Sequence, residues 1–202
     1  MKQLREHIVL LLMIVLATLV MTYPTIGYVL DSNTIYISQD EDVYMKFWDA
    51  WYWGEILAGR QDYYYASNMF YPQGVDLSYH SFNVVHMILM QIMTPLLGVW
   101  SAYHAVFLLM LMLTSMSGYL YLYYLFQDKY AALLGAIFFG LTLFTMQHVG
   151  HPDLGFLAPI PIVLYFTERA MRENHYAGIV IAGFVSGLTI FIGMYLYISL
   201  LI

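Results

Sequence analysis

Cysteine is absent from this chain, which excludes a disulfide framework and thiolate chemistry of any kind, redox or metal-binding. Basic residues are nearly as scarce. Seven Lys and Arg in 202 residues cannot build the clustered positive surface that follows a phosphate backbone, so nucleic acid is excluded as a partner. Charge of either sign is thin, at 10% of residues against about 25% in an ordinary soluble domain. Also missing are a phosphate-cradling glycine loop, a nucleophile elbow and a zinc-protease helix.

What is present is apolar: 61% of the residues are hydrophobic, arranged in long runs that a small soluble core could not absorb and a bilayer could. Eight of the thirteen acids lie between Asp31 and Asp76, so the net charge of −6 belongs to one segment. Ile8–Leu30 has no charged residue and, as a helix, would reach roughly 34 Å, enough for a hydrocarbon core of about 30 Å. A signal peptide would have an apolar stretch of about 7–15 residues and a small-residue cleavage site; this run is longer and lacks the site, so a retained helix is expected.

The polar, aromatic segment Asp31–His80 follows, and then apolar segments Phe82–Leu97, Ala102–Phe126, Tyr130–His148, Leu154–Thr167 and Ala177–Ile202. If Phe82–Leu97 crossed the membrane, Lys129, Arg169 and Arg172 would lie on the side opposite Lys2 and Arg5; if it lies along the surface, all five share the cytoplasmic side. The positive-inside rule selects the second arrangement. The segment's shortness, His86, Gln91 and Pro95 agree with a surface or re-entrant helix. The expected architecture is therefore an all-α integral membrane domain over 1–202, with about five spans at 8–30, 102–126, 130–148, 154–167 and 177–202. Its large first extracytoplasmic loop, 31–100, would carry juxtamembrane helices, and Pro159 and Pro161 would kink the fourth span. The last run stays apolar to Ile202 with no stop signal, as in the N-terminal part of a longer protein.

Chemistry-bearing residues concentrate in that loop. On a helix starting near Asp42, the residues Asp42, Lys46, Asp49 and Trp53 share one face, and Tyr44, Trp48, Trp51 and Glu55 another. An amphipathic helix at the headgroups explains the Trp and Tyr residues as an aromatic belt. It does not explain the consecutive acids Asp40, Glu41 and Asp42, which suit plain solubilising charge, an oxygen-ligand metal site or a general base. Tyr71-Pro72-Gln73-Gly74 fits a type I turn, and His80 falls where the loop rejoins the membrane, either structural or a ligand. His148, His151 and Asp153 suit a metal, a phosphate or simply a polar cap between two helices. The proposed topology puts this connector on the same outer face as the loop.

The order of these features resembles the GT-C glycosyltransferases, polytopic enzymes that use polyprenyl-phosphate-linked sugars. The resemblance rests on Asp42, Trp48 and Trp51, Phe70-Tyr71-Pro72-Gln73-Gly74, Tyr79-His80 and Gly150-His151-Pro152-Asp153-Leu154, and it runs over nearly the whole chain. Gln39-Asp40-Glu41-Asp42 stands where the family has a simple Gly-Asp, so Asp40 competes with Asp42 for the role of catalytic carboxylate. The resemblance implies a multi-pass protein of the cell membrane, N-terminus cytoplasmic and surrounded by membrane lipids, moving sugar from a polyprenyl-phosphate donor at the outer face. It implies Asp42 as the base for an acceptor hydroxyl, and Lys46, Arg60, His80 and His151 as substrate or phosphate contacts. It also implies, as in some relatives, a divalent metal (Mg or Mn) between Asp42 and Asp153. Two rival readings are a transporter or flippase, which would place ionisable residues inside its spans, and a non-catalytic assembly subunit.

Overall fold

The computed structural model describes residues 2–31, 42–80, 82–148 and 150–201. Asp40 and Glu41 lie outside them. In chain order the elements are α1 (Lys2–Met21), α2 (Thr25–Leu30), α3 (Asp42–Leu57), a hairpin of β1 (Tyr65–Ala66) and β2 (Val75–Asp76), α4 (Val84–Leu97) and α5 (Val99–Phe126). They continue with α6 (Lys129–Gly140), α7 (Leu143–Gln147), α8 (Pro152–Gly155), α9 (Pro159–Glu173), α10 (Tyr176–Leu188), a 3-10 turn (Thr189–Phe191) and α11 (Met194–Leu201). The protein is all-α apart from the hairpin, as expected.

Four stretches are long and apolar enough to cross a bilayer: Gln3–Met21, Val99–Phe126, Lys129–Gln147 and Pro152–Glu173. The first is shorter than the expected 8–30 because α1 ends before Tyr23-Pro24, where proline has no N–H to continue the helix. The fourth is interrupted at Phe156–Ala158, and α9 restarts at Pro159. The expected fifth span, 177–202, does not form as one helix. It gives the shorter apolar stretch Tyr176–Phe191, then breaks at Ile192–Gly193 before α11. Packing explains the break: a Cβ on Gly193 would sit 2.9 Å from Asp153 Cβ, so the chain passes α8 at a distance only glycine allows. The Thr189 hydroxyl donates back to the Ser186 carbonyl at 2.6 Å, alongside the Thr189 N–H, so the helix end closes on itself locally.

Helix α5 is the axis of the molecule and touches α1, α2, α4, α6, α8 and α9. Small residues bring α6 close: a Cβ on Gly140 would lie 2.8 Å from both the Cα and the N of Ser115. The turn into α6 is capped by Asp128, whose carboxylate accepts from the Tyr130 and Ala131 N–H groups at 2.8 and 3.1 Å. Outward faces stay apolar. In α1 the exposed stripe is Leu4, Ile8, Leu12, Leu16 and Val20, spaced four apart.

Helix α4 has 14 residues, about 21 Å, too short to be a span. Asn83 caps it by accepting from the His86 N–H at 2.9 Å. It buries His86, Met87 and Met90 and exposes Ile88, Ile92 and Leu96 on the opposite side. The two ends of α5, about 40 Å apart, carry different partners. Near Val99 the Phe47 ring of α3 packs 4.3 Å from Trp100 and 4.7 Å from Tyr103. Near Phe126, Lys129 pairs with Glu6 beside Arg5, and Tyr124 donates to Glu173, the partner of Arg169. The basic residues of α1, α6 and α9 therefore gather at one end, opposite α3.

Candidate functional site

Helix α3 supplies the site because one face of it is polar in an otherwise aromatic segment. Val43, Ala50 and Tyr52 are buried, and Asp42, Lys46 and Asp49 follow one another along roughly two turns. Asp42 stands in the first turn, where the helix dipole favours a carboxylate. Its Oδ2 lies 3.0 Å from Nε2 of His151, with both side chains partly open to solvent. His151 is held by its place as the residue before α8, with Pro152 opening that helix. The His148 ring is 6.2 Å from it, its Nδ1 turned instead to the Phe144 carbonyl at 2.5 Å. Loop segment and connector thus meet where Asp42 faces His151.

Further along the face the environment closes. Lys46 and Asp49 are 3% and 0% exposed, with Nζ and Oδ2 3.4 Å apart. Oδ1 of the same Asp49 lies 2.6 Å from His80 Nε2. Lys46 was expected to meet a phosphate; instead it is enclosed as the counter-ion of Asp49, because a carboxylate buried this deeply requires a charge partner. His80 was expected near the membrane-return helix and does sit there, bound to Asp49. His86 is buried one turn into α4, and burial, with Lys46 adding to it, pushes its imidazole down to about 3. It stays neutral.

Arg60 is also committed. It makes two 2.7 Å bonds to Glu55 at the exposed end of α3, and these hold the Glu55 carboxyl below its usual range. The pair stands at the rim of a groove of about 570 Å³ between α3 and α4, floored by Phe47, Gly54, Gln91 and Pro95. The Gln91 amide links the two helices at the groove, donating to the Ala50 carbonyl at 2.6 Å.

No family model, no curated protein and no solved structure matches the chain.

The metal expectation needs at least a cluster of ligands. Among the described residues no group of three His, Asp or Glu side chains gathers as one. Asp153 packs beside Gly193, and its Oδ1 is buried without a hydrogen-bond partner among the described residues. Of the two residues expected to share a metal, Asp42 faces His151.

The expected type I turn at Tyr71–Gly74 gives way to a turn that starts one residue earlier and has the cis-proline arrangement of type VI. The Gln73 N–H donates to the Phe70 carbonyl at 3.1 Å, placing Pro72, after a cis bond, third in the turn. Gly74 then takes φ +71°, with the Tyr65 ring packed where any side chain would go. The hairpin is pinned to α3 by the Tyr52 hydroxyl, 2.7 and 3.0 Å from the carbonyls of Asp62 and Tyr65. Sequence reasoning put Asp49 on the right face but did not single it out. The available signal was its register: an acid three residues after a lysine, inside a run of aromatic residues that had to be buried.

Proposed function

We propose that the chain is a polytopic membrane glycosyltransferase domain of the GT-C type, multi-pass in the cell membrane with its N-terminus cytoplasmic. It moves sugar from a polyprenyl-phosphate donor to an acceptor at the extracytoplasmic face. The observation that carries the reading is the 3.0 Å approach of Asp42 to His151, which joins the acidic loop to the histidine connector. The gathering of Arg5, Lys129, Arg169 and Arg172 at the other end of α5 supports the orientation, since basic residues collect on the cytoplasmic side. The apolar stripes of α1 and α4 supply the surfaces that membrane lipids would cover.

In the proposed step, Asp42 takes the proton of an acceptor hydroxyl as that oxygen forms its bond to the anomeric carbon. The bond from that carbon to the lipid phosphate breaks, and the electron pair leaves with the phosphate. A base so placed contributes about 10²–10⁴-fold. His151, when protonated, offers charge-assisted donation to the departing phosphate from beside Asp42. Lys46, paired with Asp49 in the interior, and Arg60, paired with Glu55 beyond the opposite end of α3, are not placed to do so. Polyprenyl phosphate already leaves readily, so positioning and charge account for most of the catalysis.

The test is transfer from a radiolabelled polyprenyl-phosphate sugar by membranes containing the full chain. Asp42→Asn, inserted normally, should lose about 10²-fold or more of the rate, and Asp40→Asn should separate the two candidate acids. Unchanged transfer by Asp42→Asn removes the proposal and favours a non-catalytic subunit.

A further inference from the structure

The Asp49–His80 pair has a feature that pinning a loop does not require: it faces a cavity. About 460 Å³ of space lies beside it, with Met45, Trp48, Met69, Asp76, Tyr79 and His80 among its walls. Met45 and Trp48 follow Asp42 by three and six residues, so the cavity opens within about two helical turns of that carboxylate.

The walls combine three kinds of group. The Trp48 indole is stacked on Tyr52 at 4.6 Å and 16° and has the His80 ring edge-on at 5.9 Å, so it is held as a rigid flat surface. Tyr79 is fully exposed beside it, an aromatic ring that the fold does not use. Asp76 accepts from the Ser78 hydroxyl and, through Oδ1 at 2.8 Å, from the Ser78 N–H, and a carboxylate has lone pairs left for a further donor. The hydrogen bonds from Ser78 hold this carboxyl below its usual range, so it is ionised at neutral pH. His80 completes the set. Nε2 of His80 faces Asp49 Oδ1 at 2.6 Å; with the Nε2 hydrogen given to Asp49, Nδ1 is the ring nitrogen left to accept.

Rigid aromatic surface with acceptors at its edge suits a ligand that has an apolar C–H face and a rim of hydroxyl donors, which is the chemistry of a pyranose ring. We propose that this cavity is a glycoside-binding site, the acceptor subsite of the reaction above, in which a sugar ring stacks on Trp48 and donates hydroxyl hydrogens to His80 Nδ1 and Asp76. Its choice of ligand rests on the transferase reading; its geometry does not. Lys46 and Asp49 are positioning residues there, setting the tautomer and angle of His80.

The experiment is saturation-transfer NMR on the full chain in lipid nanodiscs with methyl α-glycosides of glucose, galactose, mannose and N-acetylglucosamine. At least one should show transfer to its ring protons. Trp48→Ala should weaken that binding about tenfold, the cost of a lost stacking partner. Asp76→Asn, at an exposed position outside the core, should do the same and covers the case in which Trp48→Ala fails to fold. His80→Ala should lose binding that His80→Gln, which keeps an acceptor, retains. Tyr64→Ala, an exposed aromatic outside the cavity, should change nothing. No transfer to any of the four glycosides, or transfer indifferent to both Trp48→Ala and Asp76→Asn, overturns the site. Glycoside binding without sugar transfer from lipid phosphate overturns the transferase reading instead. Transfer activity without glycoside binding overturns only the subsite.

Discussion

The two ends of α5 hold similar numbers of charged groups and use them in opposite ways. At the α1 end two pairs lie one helical turn apart, Arg172 with Glu168 at 2.6 Å and Arg169 with Glu173 at 2.8 Å, and a third, Lys129 with Glu6, ties α6 to α1 while staying partly open to solvent. The two pairs within α9 complete themselves locally and ask nothing of the rest of the fold. At the α3 end the contacts join distant parts of the chain: Asp42 with His151, and Asp49 with His80. Asp49 and Lys46 are also buried. The difference teaches where charge is solubilising and where it is structural or chemical. Exposed pairs are worth about 0–1 kcal/mol, whereas removing one member of a buried pair strands the other at several times that cost.

The contrast can be broken most directly at Asp49. Asp49→Ala leaves Lys46 enclosed without its counter-ion and should destabilise the protein by about 3–5 kcal/mol in denaturant or thermal unfolding from nanodiscs. The double change Lys46→Met with Asp49→Leu should recover most of it. A single-mutant loss under about 1 kcal/mol would mean that the two ends do not differ as argued. Midway along α5, Gly140→Ala drives a methyl into the Ser115 backbone and should cost about 1–3 kcal/mol, measured the same way.

His86 sharpens the comparison through pH. Its folded value of about 3 lies below the ordinary 6.5, so between those values the unfolded chain binds the extra proton. Stability from this group is complete above about pH 6.5 and is lost progressively as pH falls toward 3. Near pH 5.5 the loss is on the order of 1 kcal/mol, and His86→Leu should flatten that part of the acid limb. The smallest effect belongs to the other end: Arg172→Ala, 58% exposed and paired within its own helix, should change stability by no more than about 0.5 kcal/mol.

Much of this division was legible beforehand. The run after Lys2 and Arg5 announced α1, and the helix with Asp42, Lys46 and Asp49 on one face formed as its spacing required. Less legible were the interruptions. Composition marks 177–202 as apolar enough to span, yet Gly193 has to pass Asp153, and that constraint comes from another helix. The same holds for Lys46. A lysine four residues after an acid on a helix face reads as solvent-exposed, and it becomes buried where α4 packs on α3 and sets His86 beside it.

The amino-acid pattern alone settled the helical class, the long apolar stretches and the segregation of acids into one loop, because these follow from local periodicity and from transfer between water and hydrocarbon. Tertiary structure decided which charges touch. Asp42 reaches His151 across more than a hundred residues, and Asp49 reaches His80 across thirty-one. Pairings of that kind depend on how helices pack in three dimensions, and no rule of neighbouring residues contains that information.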